Sequence, residues 1–193
     1  MTVSNRRIFL ISSLAVLAAP RLALAHKPTL AEKFLPQLVN TRRKDWRAGN
    51  LHVVPDEFFL YFMLNDGLAI RYGVGVGRDR LYTPGTFTVA RKAKWPFWRP
   101  TQAMIRREPE KYAKYSDGMK GGPDNPLGAR ALYLYDDKGR DTYLRIHGTN
   151  KPGTIGTAVS NGCARLTNEY IKELYDRVEV GAKVTLHPKQ ETA

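Results

Sequence analysis

A single cysteine, Cys163, sits in the stretch Ser160-Asn161-Gly162-Cys163-Ala164-Arg165, sixteen residues after His147 in a chain of 193. A thiolate is a nucleophile, an imidazole can take the thiol proton, and a third group can orient the imidazole. Of the four histidines, His26, His52, His147 and His187, only His147 lies in a glycine-flanked loop close to the cysteine in sequence. Gly162 lets a substrate approach the backbone, and the amides of such a turn can converge on an oxyanion. Spacing alone leaves three readings of the thiol open: a buried hydrophobe, a bridge between chains, or a nucleophile. A metal site fits poorly, because one cysteine and scattered histidines give no close ligand pair such as C-x-x-C or H-x-x-x-H. Ser160 lacks the G-x-S-x-G setting of a serine nucleophile.

The elements that must position these residues are mostly strands. From Leu51 the chain alternates β-rich runs with turns: "LHVVP", "EFFLYFML", the Asn65–Gly67 turn, then "LAIRYGVGVG". An Asp-Gly pair between β-rich runs is a strong hairpin signal. "TFTVARK" follows the Pro84-Gly85 turn, and "RALYLYD" and "DTYLRIHG" flank "DDKG". In the last strand, alternation puts Leu144 and Ile146 on one face and Tyr143, Arg145 and His147 on the other. After the cysteine comes one clear helix, with Asn168 as cap, Glu169 in the first turn, and Ile171, Leu174, Tyr175 and Val178 on one face. "AKVTLH" closes the unit as a strand. Residues 94–128, rich in Trp, Pro, Gly and charge, read as a long loop with one helical turn. Residues 26–50 read as a helical or irregular lead-in. The sum is a mainly β domain with a single strong helix.

Length suits one domain that buries a core without disulfides or a structural metal. The first 25 residues read as a signal peptide: basic "MTVSNRR", a short apolar "IFLISSLAVLAAP", and the small-x-small "ALA" at Ala23–Ala25. An uncleaved anchor is the alternative. Arg6 and Arg7 resemble a twin-arginine export signal. Removing this segment lowers the net charge from +13 to +10. Residues 91–120 hold nine Lys/Arg against Glu108, Glu110 and Asp117. Outside the cytoplasm such a surface suits the acidic cell wall or an anionic membrane face rather than nucleic acid, or it is simply a solvated face.

"HGTN" followed by "SNGCARL" resembles the signature of the L,D-transpeptidase family, the YkuD-type catalytic domain. "GVGVGR", "TPGTFTV", "GGPDNPLGARALYL" and "NEYIKELYDRVEVGAKVTL" are similar to further family segments, in the right order from about Leu51 to Leu186. The resemblance implies a YkuD-like β-sandwich over residues 51–188, with one helix after the catalytic cysteine, a long capping loop region, and a short tail at 189–193. Two departures stand out. Asn161 occupies a position where many members carry His, and the Thr83-Pro84-Gly85 turn is one residue tighter than usual.

The resemblance also implies a reaction. Cys163 attacks the carbonyl before a terminal D-residue of a peptidoglycan stem peptide, and His147 serves as base and then acid. The carbonyl of Gly148 holds the other ring nitrogen. Backbone amides near Asn161, Gly162 and Cys163 form the oxyanion hole, while Arg165, with Ser160, binds substrate; an ion pair is the alternative for Arg165. Trp95, Phe97, Trp98 and Tyr112 wall the cleft or pack as core. No cofactor or metal is implied. The thioester passes to an amine, on a second stem peptide, a D-amino acid or a protein, or to water in an L,D-carboxypeptidase or amidase-type hydrolase. A non-catalytic wall-binding module is the remaining reading. Carbapenem-type inhibitors are expected to acylate Cys163, and the chain is expected in the periplasm or cell envelope.

Overall fold

The computed structural model describes residues 30–190, apart from Asp66 and the side chain of Asp79. The expected signal segment, and the last three residues of the tail, lie outside the described residues. Nine strands form one mixed sheet in the order β1-β4-β3-β2-β11-β6-β7-β8-β10. They are β1 (Gln37–Asn40), β2 (Leu51–Val54), β3 (Phe59–Asn65), β4 (Leu68–Gly73), β6 (Gly85–Lys94), β7 (Arg130–Tyr135), β8 (Asp141–His147), β10 (Ala164–Arg165) and β11 (Lys183–Leu186). Two joins are parallel, β11 with β2 and β10 with β8. A separate parallel pair joins β5 (Val76–Gly77) to β9 (Ala158–Ser160).

Turn chemistry fixes the hairpins. At the β7–β8 turn the carboxylate of Asp136 accepts from the amides of Lys138 (3.0 Å) and Arg140 (2.8 Å), and Gly139 adopts φ +71°. Both are local devices that bias a short chain segment toward reversal before any sheet exists.

The core explains why one ladder can enclose its own interior. Strand twist accumulates across a sheet this wide, so it curls. A single cluster accordingly gathers Leu51, Val53, Leu60 and Phe62 from one end of the strand order and Leu132, Leu134 and Ile146 from the other. Helix α3 (Asn168–Arg177) closes the cluster with Ile171 and Leu174, and the adjoining Val178. Each such side chain contributes about 1.5–3 kcal/mol when fully buried.

The start of α3 differs from expectation. Thr167, in extended backbone, is the cap, and its hydroxyl accepts from the Tyr170 amide at 3.3 Å. Asn168 is already helical, and its Oδ1 instead accepts from the amide of Ala129 at 2.8 Å. A Cβ at Gly148 or Gly128 would lie 2.3 or 2.2 Å from that oxygen, so both positions need glycine. Asn168 thus locks the helix against the strand end that carries His147.

Two other segments are more ordered than expected. Residues 94–128 contain α1 (Gln102–Arg107), capped by Thr101, and α2 (Pro109–Tyr112), followed by a 3-10 turn at Ala113–Tyr115. Within the lead-in, β1 pairs antiparallel with β4 and supplies a sheet edge. Behind it Trp46, 4% exposed, stacks on His52 with centroids 3.9 Å apart, and His52 Nδ1 lies 3.2 Å from His187 Nε2.

Burial lowers the pKa of His52 to about 4, with His187 and Arg43 acting in the same sense and Asp45 opposing. In the unfolded chain the ring protonates near 6.5, so stability is full above that pH and falls between 6.5 and about 4. The slope is at most about 1.4 kcal/mol per pH unit. Urea unfolding across this window should show it, and His52→Gln should remove this ring's share of the slope while His147 and His187, whose pKa values burial also lowers, keep theirs. A wild-type midpoint that does not move over the same window would overturn this assignment.

Candidate active site

His147 ends β8, a rigid mount between β7 and β10, and is 5% exposed. Its Nδ1 lies 2.5 Å from the carbonyl oxygen of Gly148. A carbonyl can only accept, so Nδ1 carries the proton and Nε2 is left as the basic nitrogen. The Gly148 amide is itself tied to the Arg130 carbonyl at 3.0 Å. Burial, reinforced by the nearby Arg165 guanidinium, pulls the His147 pKa down to about 3, against an opposing hydrogen bond to Gly148. The ring is therefore neutral at ordinary pH.

Cys163 is placed by two short parallel pairings. On one side β9 pairs with β5, and on the other β10 pairs with β8 in the register Ala164↔Ile146 and Arg165↔His147. The cysteine precedes β10 and so sits beside the β8 backbone. The thiol is half-buried, and its Sγ faces the carbonyl of Tyr143 at 3.8 Å. Among the described residues no hydrogen bond joins Sγ to the His147 ring; the two share neighbouring strands. Burial around the sulfur pushes its pKa up, and the Arg145 amide and the Arg145 and Arg165 charges oppose that push.

The loop before the cysteine is internally braced. Ser160, 3% exposed, donates its hydroxyl to the Cys163 carbonyl at 2.6 Å and accepts from the Gly162 amide at 3.2 Å. The Ser160 hydroxyl and the Gly162 N–H thus brace the turn that carries Cys163. Gly162 adopts φ +118°, and a Cβ there would meet the Leu81 carbonyl at 2.8 Å. The amides of Asn161 and Cys163 carry no hydrogen bond among the described residues.

Arg165 is half-buried and makes no ion pair among the described residues. Burial lowers its pKa, while the Cys163 sulfur and Tyr112 raise it. The ion-pair alternative for this side chain therefore finds no partner.

Sequence reasoning missed Asp141 and Arg145. The β7–β8 register passes from Tyr133↔Arg145 to Tyr135↔Asp141, so β8 carries two extra residues in a bulge. Within it Tyr143, 69% exposed, is held at φ +60°. Asp141 builds this shape: it accepts from the Tyr143 amide at 2.8 Å and binds both Nη atoms of Arg145, at 2.7 and 2.8 Å. The only sequence signal was an acid four residues before a base, which is ordinary in a strand read as alternating.

Asn161 joins the loop to the helical cap. Its Oδ1 accepts from Arg107 Nη2 at 2.6 Å, and its Nδ2 donates to the Tyr112 hydroxyl at 2.9 Å. Glu108 binds Arg78 and Lys111, the latter at 3.0 Å, and so fixes the α1–α2 junction to the strand side. Of the four expected aromatics, Tyr112 reaches the site and Trp98 packs against it at 6.3 Å. Trp95 and Phe97 are exposed, at 43% and 55%.

The pattern of the YkuD L,D-transpeptidase catalytic domain matches residues 49–186. An Escherichia coli (strain K12) protein named "Probable L,D-transpeptidase ErfK/SrfK" is 39% identical over 137 residues, which cover 67% of this chain and 41% of that protein. This chain thus spans well under two thirds of that relative's length. A solved Brucella melitensis chain named "Probable carnitine operon oxidoreductase caia" is 46% identical, with TM-score 0.55, covering 77% of this chain and 91% of that one. L,D-transpeptidase 3 from Mycobacterium tuberculosis, solved with a faropenem-derived adduct, shares the fold at TM-score 0.53 and 16% identity, covering 72% and 59%. The chain belongs to the YkuD family of L,D-transpeptidase catalytic domains.

Proposed function

We propose that this chain is an exported L,D-transpeptidase that works on peptidoglycan stem peptides through a thioester on Cys163. The observation that supports it most is a free, half-buried Arg165 between the cysteine loop and His147 on adjacent parallel strands. A guanidinium in that setting offers a fork for a carboxylate, which stem peptides carry.

In this reading Sγ attacks the carbonyl carbon that precedes a terminal D-residue, and the S–C bond forms as the thiol proton passes to His147 Nε2. The C–N bond then breaks, and the imidazolium returns the proton to the leaving amine. The free amides of Cys163 and Asn161 hold the oxyanion. An acceptor amine attacks the thioester, gives its proton to His147, and the thiol is restored. The Brucella chain's name raises an oxidoreductase alternative. The glycine run Gly73-Val74-Gly75-Val76-Gly77 does not favour nucleotide binding here, because Cβ positions at its three glycines already lie 2.4, 2.6 and 2.9 Å from Phe34, Thr154 and Gly162.

Cys163→Ala should abolish muropeptide turnover in a folded protein. Incubation with a carbapenem should add one drug mass to the wild-type chain and none to the variant, read by intact-protein mass spectrometry. His147→Gln should slow adduct formation at every pH above its depressed pKa, since the base is lost. Turnover by Cys163→Ala would end the covalent reading, and products ending in free carboxylates without cross-links would assign the hydrolase instead.

Asp141 is a positioning residue in this scheme. Losing its charged hydrogen bonds costs about 1.5–3 kcal/mol, or roughly 10- to 100-fold in acylation. Asp141→Ala should therefore slow carbapenem acylation by that factor, and Asp141→Asn, which keeps an acceptor for the Tyr143 amide, should fall between. The pH profile of Cys163 alkylation should move in Asp141→Ala, because Arg145 is released. Equal profiles and rates in a folded Asp141→Ala would rule the role out.

Export is a separate expectation. Fractionation of the native cell should find the chain outside the cytoplasm, with an N-terminus at or near His26. A full-length cytoplasmic product would remove the wall as substrate.

A further inference from the structure

A second concave site lies at the other end of the strand order from Cys163. It is a cavity of ≈ 240 Å³ between β1, the loop that follows it, and the β3–β4 hairpin, and its polar lining includes Arg43, Trp46, Glu57, Tyr61 and Arg71. Arg43, Trp46 and β1 all precede residue 49, where the family match begins. The site is thus completed from outside the matched region, with Val54, Glu57, Tyr61 and Arg71 inside it.

Its two guanidiniums are not paired with a carboxylate among the described residues. Arg71 lies flat over Phe59 at 4.1 Å and gives one Nη to Gln37, but its Nε is buried with no partner. A buried donor left unpaired costs about 1–3 kcal/mol, so its retention calls for an acceptor. Arg43 is exposed, sits 5.6 Å from the Trp46 ring, and makes no ion pair among the described residues. Stacking on an aromatic ring occupies the face of a guanidinium and leaves its in-plane N–H groups free. Glu57 is the one carboxylate in the lining, and it accepts from the Tyr61 hydroxyl at 2.8 Å. Two cations against one anion leave a surplus of a single positive charge. That balance suits a singly charged carboxylate better than a phosphate dianion, and Glu57 can accept from a donor beside that carboxylate.

We propose that this cavity binds a carboxylate flanked by a hydrogen-bond donor, as a second subsite for wall polymer; the choice of polymer rests on the peptidoglycan reading above. Two parts of that polymer share the chemistry: the lactyl carboxylate of a muramyl sugar that carries no stem peptide, and the terminal carboxylate of a stem peptide. The guanidiniums of Arg43 and Arg71 take the carboxylate, Trp46 and Tyr61 wall the rest of the ligand, and Glu57 takes its donor. A chain anchored here would hold a polymeric substrate while Cys163 works elsewhere on it.

The test uses the full chain as Cys163→Ala, titrated with N-acetylmuramic acid, with D-alanyl-D-alanine, and with neutral N-acetylglucosamine. The Trp46 indole N–H resonance reports on the cavity. One of the two carboxylate probes should shift it, and which one does identifies the source; N-acetylglucosamine should not. Arg43→Ala and Arg71→Gln should each weaken that binding roughly tenfold. Arg43 is exposed and lies outside the sheet, so Arg43→Ala carries the result if Arg71→Gln loosens β1. An equal shift with N-acetylglucosamine, no shift with either carboxylate, or unchanged affinity in Arg43→Ala overturns the proposal. Carbapenem acylation in the Cys163-containing protein is measured beside it. Lost binding with intact acylation condemns the cavity alone, and intact binding with no acylation condemns the main site alone.

Discussion

The parallel pairing of two-residue β10 with the end of β8 is the constraint on which the site depends. It is the last pairing at that end of the sheet, yet it sets Arg165 opposite His147 and brings Cys163 against the β8 backbone. Two hydrogen-bonded residues cannot hold such a register alone, since an isolated pair of this length is not stable in water. The neighbours supply what it lacks. Gly75 and Arg165 exchange backbone hydrogen bonds of 2.9 and 2.8 Å, Leu166 donates to the His147 carbonyl at 2.9 Å, and Asn168 ties the following helix to Ala129. Ile171 and Leu174 then bury that helix in the core. The position of one thiol is thus set by hydrophobic burial two elements away.

Electrostatics around this edge favour neutral groups. One cause, burial, lowers the imidazole pKa and raises the thiol pKa, and the surrounding arginines reverse only part of the second shift. Arg145 is held by Asp141, so its field is fixed in place but partly cancelled, while Arg165 remains free. A site arranged this way does not store a thiolate–imidazolium pair. In the proposed reaction the proton moves as the S–C bond forms, and the free arginine acts on the substrate rather than on the resting thiol. A thiol kept protonated in this way also resists oxidation, since oxidation follows thiolate character.

Much of this was legible in the sequence because it rests on local signals. The β7–β8 hairpin and the apolar face of α3 follow from turn residues and periodicity, and the family from its motifs. What was not legible depends on distant partners. Thr167 and Asn168 are both good caps, and the choice between them is made by the Ala129 amide, 39 residues away. Alternation put Ile146 and Arg145 on opposite faces; Ile146 is in the core, but Arg145 is buried too, held by Asp141 across a bulge at Tyr143 that no residue type announces. β1 reads as lead-in because its four residues gain order only from the free edge of β4. The family resemblance implied a substrate role for Ser160 and an oxyanion role for the Gly162 amide; their mutual contact, Gly162 N–H donating to the Ser160 hydroxyl, depends on a loop geometry that residue types do not announce.

Asn161 shows how a departure from a family pattern can be understood physically. A primary amide offers an acceptor and donors on one rigid end, so it can take Arg107 from α1 and give to Tyr112 from α2 at once. An imidazole places its donor and acceptor on opposite sides of a ring, and in protonated form it has no acceptor for a guanidinium. With Arg107 on the cap, Asn is therefore the better joint at this position. The same contact links the basic segment to the cysteine loop.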